Sequence, residues 1–126
     1  ARPLTGKIKC ASTVMDLLTL HETHAGAFNF MHLGAFWMSL GKLARADGKW
    51  LQRHVETVES LQKTSTSIVQ LSDARNCASV AYGMAISGMR GPLVCSCFSA
   101  ISQQALLRLN EFDSQTLANT VWAFAK

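Results

Sequence analysis

The chain has 126 residues, enough for one domain with a real core. Apolar residues make up 48% and charged residues 16%, the latter below the roughly 25% usual in globular proteins, so neighbouring helices or absent partners are expected to cover surface that would otherwise be wet. The 12 Lys+Arg against 8 Asp+Glu give a formal charge of +4, a mild basic bias compatible with nucleic acid. Two long uncharged runs, 23–41 and 91–107, are interrupted by His24, Asn29 and His32 or by serines and glutamines. Neither is a clean membrane span, and no membrane insertion is expected.

The sequence opens Ala1-Arg2-Pro3-Leu4 without a starter Met or an early apolar run, so no signal peptide is expected; the opening fits a processed precursor or a piece of something longer. Arg2, Lys7 and Lys9 read as a basic arm on nucleic acid or as a frayed, solubilising end. Residues 12–24 then have the character of a short helix. Within it His21-Glu22-Thr23-His24 falls short of a zinc-protease helix, which needs its histidines four apart to share one face. Cys10, Cys77, Cys95 and Cys97 lack the spacing of a metal box and read as small core residues in a reducing compartment. No metal or other cofactor is expected.

The next helix starts near Phe28, and its pattern returns twice. FNFMHLGAFWMSLGK (28–42), SDARNCASVAYGMAI (72–86) and FDSQTLANTVWAFAK (112–126) align without gaps. Asn29 and Asp113 stand at the N-cap, between a Phe and a Leu spaced for a hydrophobic staple: Phe28 with Leu33, Phe112 with Leu117. The middle copy has Ser72 for the Phe and Cys77 for the Leu, so Leu71 is the candidate staple there. Two columns contain only Gly or Ala: Gly34, Ala78 and Ala118, then Gly41, Ala85 and Ala125. They lie two turns apart on one face, as a helix wedged between close neighbours requires. Trp37, Ala81 and Val121 stand between them, with Met38, Tyr82 and Trp122 alongside.

A second helix follows each of the first two copies. Residues 48–63 place Leu51, Val55 and Val58 on one stripe and Arg53, Glu56, Glu59 and Lys63 outside, with Glu59 and Lys63 spaced as a favourable pair. Residues 91–109 start with Pro92 at a natural first-turn position and carry Val94, Phe98, Ile101 and Ala105 inward; with no charge before Arg108, this is expected to be the better buried of the two. The expected fold is all-α, an α-solenoid of antiparallel helix pairs, with about three repeats of roughly forty residues truncated at both ends. The expected divisions are 1–27 (basic arm and the second helix of a preceding repeat), 28–70, 71–111 and 112–126.

The stretch Leu117–Ala125, LANTVWAFA, resembles the first-helix signature of the octotricopeptide repeat proteins and the similar heptatricopeptide repeat proteins. Ala46-Asp47-Gly48-Lys49-Trp50-Leu51 occupies the start of their second helix and keeps its Trp-Leu, while the family's prolines are missing and Lys49 stands for its acidic residue. The resemblance is strongest in the last copy and weakest in the middle one. It implies a helical-repeat protein that binds single-stranded or ribosomal RNA in an organelle, chloroplast or mitochondrion, after removal of a targeting segment. Family members stabilise, process or help translate transcripts; some end in a RAP domain and some are components of organellar ribosomes.

By analogy with repeat proteins that read one base per repeat, short polar side chains near the first-helix starts would face nucleobases: His32, Asn76, Ser79, Thr116 and Asn119. They belong to stripes that also include Ala35, Ser39, Gly83 and Ala123. Phosphates would be met by Lys42, Arg45, Arg75, Arg90 and Lys126. The same residues also suit ordinary solvated faces and charges favourable to helix C-termini. Trp37, Trp50 and Trp122 are expected in the core, with base stacking as the alternative. No nucleophile, base and orienting acid share a recognisable spacing and no Gly-rich phosphate loop is present, so neither enzymatic activity nor a small-molecule substrate is expected. The alternative function is a structural subunit of a large organellar assembly (a ribosome, or a photosynthetic or respiratory complex) whose partners are mainly protein.

Overall fold

The computed structural model describes residues 3–46, 49–88 and 91–125, with only the backbone of Ala25, Ala46, Leu51, Gln52 and Val55. It is all-helical, with no strand among the described residues. The α-helices are α1 (Leu4–Cys10), α2 (Val14–His24), α3 (Phe30–Ala46), α4 (Trp50–Arg53), α5 (Val55–Val69), α6 (Ala74–Ser87), α7 (Pro92–Leu107) and α8 (Ser114–Ala125), with single 3₁₀ turns at Ala25–Ala27 and Leu109–Glu111. No helix among the described residues is long and apolar enough to cross a membrane.

Side-chain caps start four of these helices. Asp16 N–H donates to Thr13 Oγ1, and the Asp16 carboxylate accepts from Ser12 N–H one residue before the cap. The three copies of the repeated pattern begin alike. Asn29 Oδ1 accepts from the N–H groups of Met31 and His32, Asp73 Oδ1 from Asn76 N–H, and Asp113 Oδ1 from Thr116 N–H. The middle copy therefore keeps its cap although its staple differs. Leu71 is 72% exposed and Ser72 buried; the Ser72 carbonyl instead accepts a 2.7 Å hydrogen bond from the Gln104 amide of α7. Pro92 occupies the first turn of α7, after Gly91 at φ 112°, a backbone region that glycine enters without steric cost.

In the core, α1, α3, α6 and α8 touch in succession, α2 lies on α3, and α5 on α7. The α3–α6 crossing is tight. A methyl group on Gly83 would run into the Trp37 carbonyl, one on Gly41 into Ile86 and the Gly83 carbonyl, and one on Gly34 into the Asn76 amide. The glycine columns of α3 thus face α6. In α6 the matching Ala78 is buried and Ala85 half-buried, whereas Ala118 and Ala125 of α8 are exposed.

Polar ties join these helices. Trp37 Nε1–H donates to Ser65 Oγ of α5 at 2.9 Å, and Trp50 Nε1–H to the Ser87 carbonyl at 3.2 Å. Both indoles are buried, at 0% and 1% exposure; Trp122 is 37% exposed and stacks on Tyr82 with ring centroids 5.0 Å apart.

Several details differ from the sequence expectations. Residues 4–10 are helical, and Ile8 is fully buried against the core, because Leu4, Ile8 and Ala11 recur at helical spacing; Arg2 lies outside the described residues. The single helix expected over 48–63 is two, Trp50–Arg53 and Val55–Val69, broken at His54 (φ −133°, ψ 37°); Gly48 lies outside the described residues. Val58 is buried as expected, together with Leu61, Ser65 and Val69; the side chains of Leu51 and Val55 lie outside the description. Glu59 and Lys63 form no bridge: the ion pair seen among the described residues is Arg108–Glu111, at 2.9 Å.

Of the residues expected to point inward on α7, Ile101 is buried and Val94 and Phe98 are half-buried against the core; Cys97, Ala100 and Gln104 are buried with them, while Leu106 and Leu107 are 71% and 79% exposed. Its lack of charge therefore does not reflect complete burial within this chain. Of the cysteines, all free, Cys77 and Cys97 are buried and Cys10 and Cys95 exposed; burial pushes the Cys97 thiol up to about 11.

At the α2–α3 joint, His21 is 7% exposed. Its ring sits between Phe28 and Phe36, at centroid distances of 5.0 and 5.6 Å, and Nε2 has no hydrogen-bond partner. Burial holds its pKa below the ordinary 6.5 and outweighs the opposing pull of Glu22. On acidification the unfolded chain takes up this proton before the folded one. The His21 contribution is therefore complete above pH 6.5 and declines as the pH falls from there toward the lowered folded value. Urea titrations from pH 7.5 to 5 are expected to show a steeper loss of stability in the native chain than in His21→Leu. Parallel profiles would refute this.

Candidate nucleic-acid interface

Two adjoining concavities cross the helix row formed by α1, α3, α6 and α8. The larger, about 760 Å³, runs from Thr5 and Lys9 on α1 over Gly34, Ser39 and Lys42 on α3 to Arg75, Asn76 and Ser79 on α6. The smaller, about 290 Å³, lies between α6 and α8 and is lined by Arg75, Ser79, Tyr82, Gln115, Thr116 and Asn119, with Met38 and Asp113 at its margin. Met38, Arg75 and Ser79 line both, so the two form a continuous track.

The sequence-derived residues divide as follows. Asn76, Ser79, Thr116 and Asn119 are brought together along this track, as are Lys42 and Arg75. His32 is not: its Nδ1 accepts the Asn29 N–H at 3.1 Å and its ring meets Phe28 edge-on, so it serves the start of α3. Arg45 is exposed in the last turn of α3 and lines neither concavity. Arg90 and Lys126 lie outside the described residues. Further along the stripes, Gly83 and Ala123 are buried in helix packing, whereas Ala35 and Ser39 line the groove.

Local hydrogen bonds set what each polar group has left to offer. Asn76 Nδ2 donates to Asp73 Oδ1 at 2.8 Å, and its oxygen lies over Gly34. Ser79 Oγ donates to the Arg75 carbonyl, which leaves its lone pairs as acceptors. Asn119 is half-buried and makes no side-chain hydrogen bond, so its amide retains both donor and acceptor capacity. The Thr116 N–H bond, with lesser help from the Arg75 charge, holds the Asp113 carboxyl below its usual range. It is therefore ionised at neutral pH and makes one end of the small cavity negative.

Lys9, expected as part of a basic arm or a frayed end, joins the site from a folded helix, and Tyr82 and Gln115 join it although sequence reading did not select them. The signal for Lys9 was the apolar spacing of α1. For Tyr82 it was its place beside the small-residue columns.

Chemically, three cations from three helices, Lys9, Lys42 and Arg75, lie along the larger concavity, which also holds one carboxylate, Asp73, whose Oδ1 is taken up by Asn76; the excess of positive charge suits a flexible polyanion. No group of three His, Cys, Asp or Glu that could hold a metal occurs among the described residues. Compared with known proteins, the chain matches no family model, no curated protein and no solved structure.

Proposed function

We propose that this chain is an RNA-binding helical-repeat segment, similar to the octotricopeptide and heptatricopeptide repeat proteins, that acts without catalysis in organellar RNA metabolism or translation. In this reading α1, α3, α6 and α8 are the first helices of successive units and α2, α5 and α7 the second, stacked as an α-solenoid of antiparallel pairs. The contacts within the first-helix row and between α5 and α7 support it. The observation that carries the functional reading is the track joining Lys9, Lys42 and Arg75 to Asn76, Ser79, Thr116 and Asn119.

In a fluorescence-anisotropy titration, single-stranded RNA is expected to bind weakly, with affinity falling as salt rises. Lys42→Gln and Arg75→Gln are each expected to weaken binding several-fold for all sequences and to lower the salt slope by about one. No binding to any RNA at low salt would overturn the reading.

A second reading, a scaffold subunit of an organellar assembly contacting mainly protein, is favoured by one observation. Leu117, Val121 and Phe124 on α8 and Leu106, Leu107 and Leu109 beside it are 43–79% exposed, which is unusual for a surface with no partner. Cross-linking from Asn119 in the native particle separates the two readings: adducts with RNA favour the first, adducts with protein alone the second.

A further inference from the structure

We propose that the cavity between α6 and α8 seats a single nucleobase of a single-stranded RNA, stacked on Tyr82, while the strand's phosphates stay in the adjoining groove. The inference rests on the RNA reading and adds the binding mode to it.

Volume argues first. At about 290 Å³ the cavity is at the lower limit of small-molecule sites, which begin near 300 Å³, so it suits one nucleoside and not a length of strand.

The lining argues next. Tyr82 is half-buried and backed by Trp122, the rings 35° from parallel at 5.0 Å. An aromatic face braced in this way has few conformations to lose when a base stacks on it. Around it stand Ser79, Gln115 and Asn119, whose hydroxyl and amide groups can pair with the edge of any base.

Electrostatics set the orientation. Asp113 is ionised at one margin and repels phosphate there. Arg75 lines both concavities and Lys42 and Lys9 lie beyond it, three cations against the single Asp73 carboxylate whose Oδ1 is already taken by Asn76, so the backbone follows the cations and one base turns inward.

The test uses short single-stranded oligoribonucleotides carrying one 2-aminopurine, and the same oligonucleotides with an abasic residue at that position. The native chain is expected to quench 2-aminopurine fluorescence at one position and to bind the corresponding abasic strand about tenfold more weakly, a loss typical of one stacked base. Tyr82→Phe should retain both effects and Tyr82→Leu should abolish them. Because Tyr82→Leu also removes the support for Trp122, Asn119→Ala serves as a second probe and is expected to weaken binding of the intact strand but not of the abasic one. If RNA binds with the Lys42 and Arg75 dependence yet abasic and intact strands bind equally, this inference is overturned while the RNA reading stands. If the native chain binds no RNA, both fall.

Discussion

Trp37→Ala is expected to cost about 3–5 kcal/mol, a large share of the roughly 5–15 kcal/mol that holds a domain together. Trp37 is fully buried, meets Phe36 edge-on at 5.9 Å and bonds Ser65 across to α5. Truncation removes the apolar contact and leaves a cavity between α3 and α5. Urea unfolding measures the loss directly. The companion Ser65→Ala leaves the indole N–H buried without a partner and should cost about 1–3 kcal/mol. A Trp37→Ala protein of native stability but impaired RNA binding would instead make this ring a base-stacking surface.

Gly83→Ala is the second large effect, and an unusual one, since the same exchange in an open helix stabilises by up to about 1 kcal/mol. Here the added methyl meets the main-chain carbonyl of Trp37, which cannot swing aside as a side chain could, so α3 and α6 must separate. Overpacking of this kind costs about 1–3 kcal/mol. With a backbone atom as the obstacle, a net loss of about 2 kcal/mol is expected, a Tm lower by about 8 °C for a chain of this size. Gly26→Ala is the control: apart from its own chain neighbours, no atom of the described residues lies within 4 Å of the new methyl, and calorimetry should show Tm unchanged or slightly raised. Equal Tm values for the two variants would mean that the crossing is looser than described.

The helical character and the close α3–α6 approach were legible because both rest on local chemistry. Asn29 and Asp113 announce helix starts through backbone N–H groups that need acceptors, and Gly34 and Gly41 mark a face that tolerates no bulk. What escaped depends on tertiary contact. Lys7 and Lys9 in α1 drew attention as charges, whereas Ile8 between them decides that the segment folds onto the core. His54 interrupts a continuous helical pattern beside Trp50, whose indole is anchored to the Ser87 carbonyl, a partner that no local window contains. His32 has the polarity of a surface reader, yet its nearest unsatisfied donor is the Asn29 N–H in its own first turn. The track itself was only half visible: periodicity placed Asn119 and Thr116 on one face of α8, but Tyr82 faces them because α6 packs beside α8.

The closeness of α3 and α6 reaches beyond stability. Lys42 rides on one of these helices and Arg75 on the other, so the distance between the two charges is gauged by hydrogen atoms at Gly41 and Gly83. A methyl at Gly41 or Gly83 would meet main-chain carbonyl oxygens and spread the two cations without touching either, whereas one at Gly34 would displace the Asn76 amide. The separation of these two cations is therefore set largely by the packing at Gly41 and Gly83, which line neither concavity.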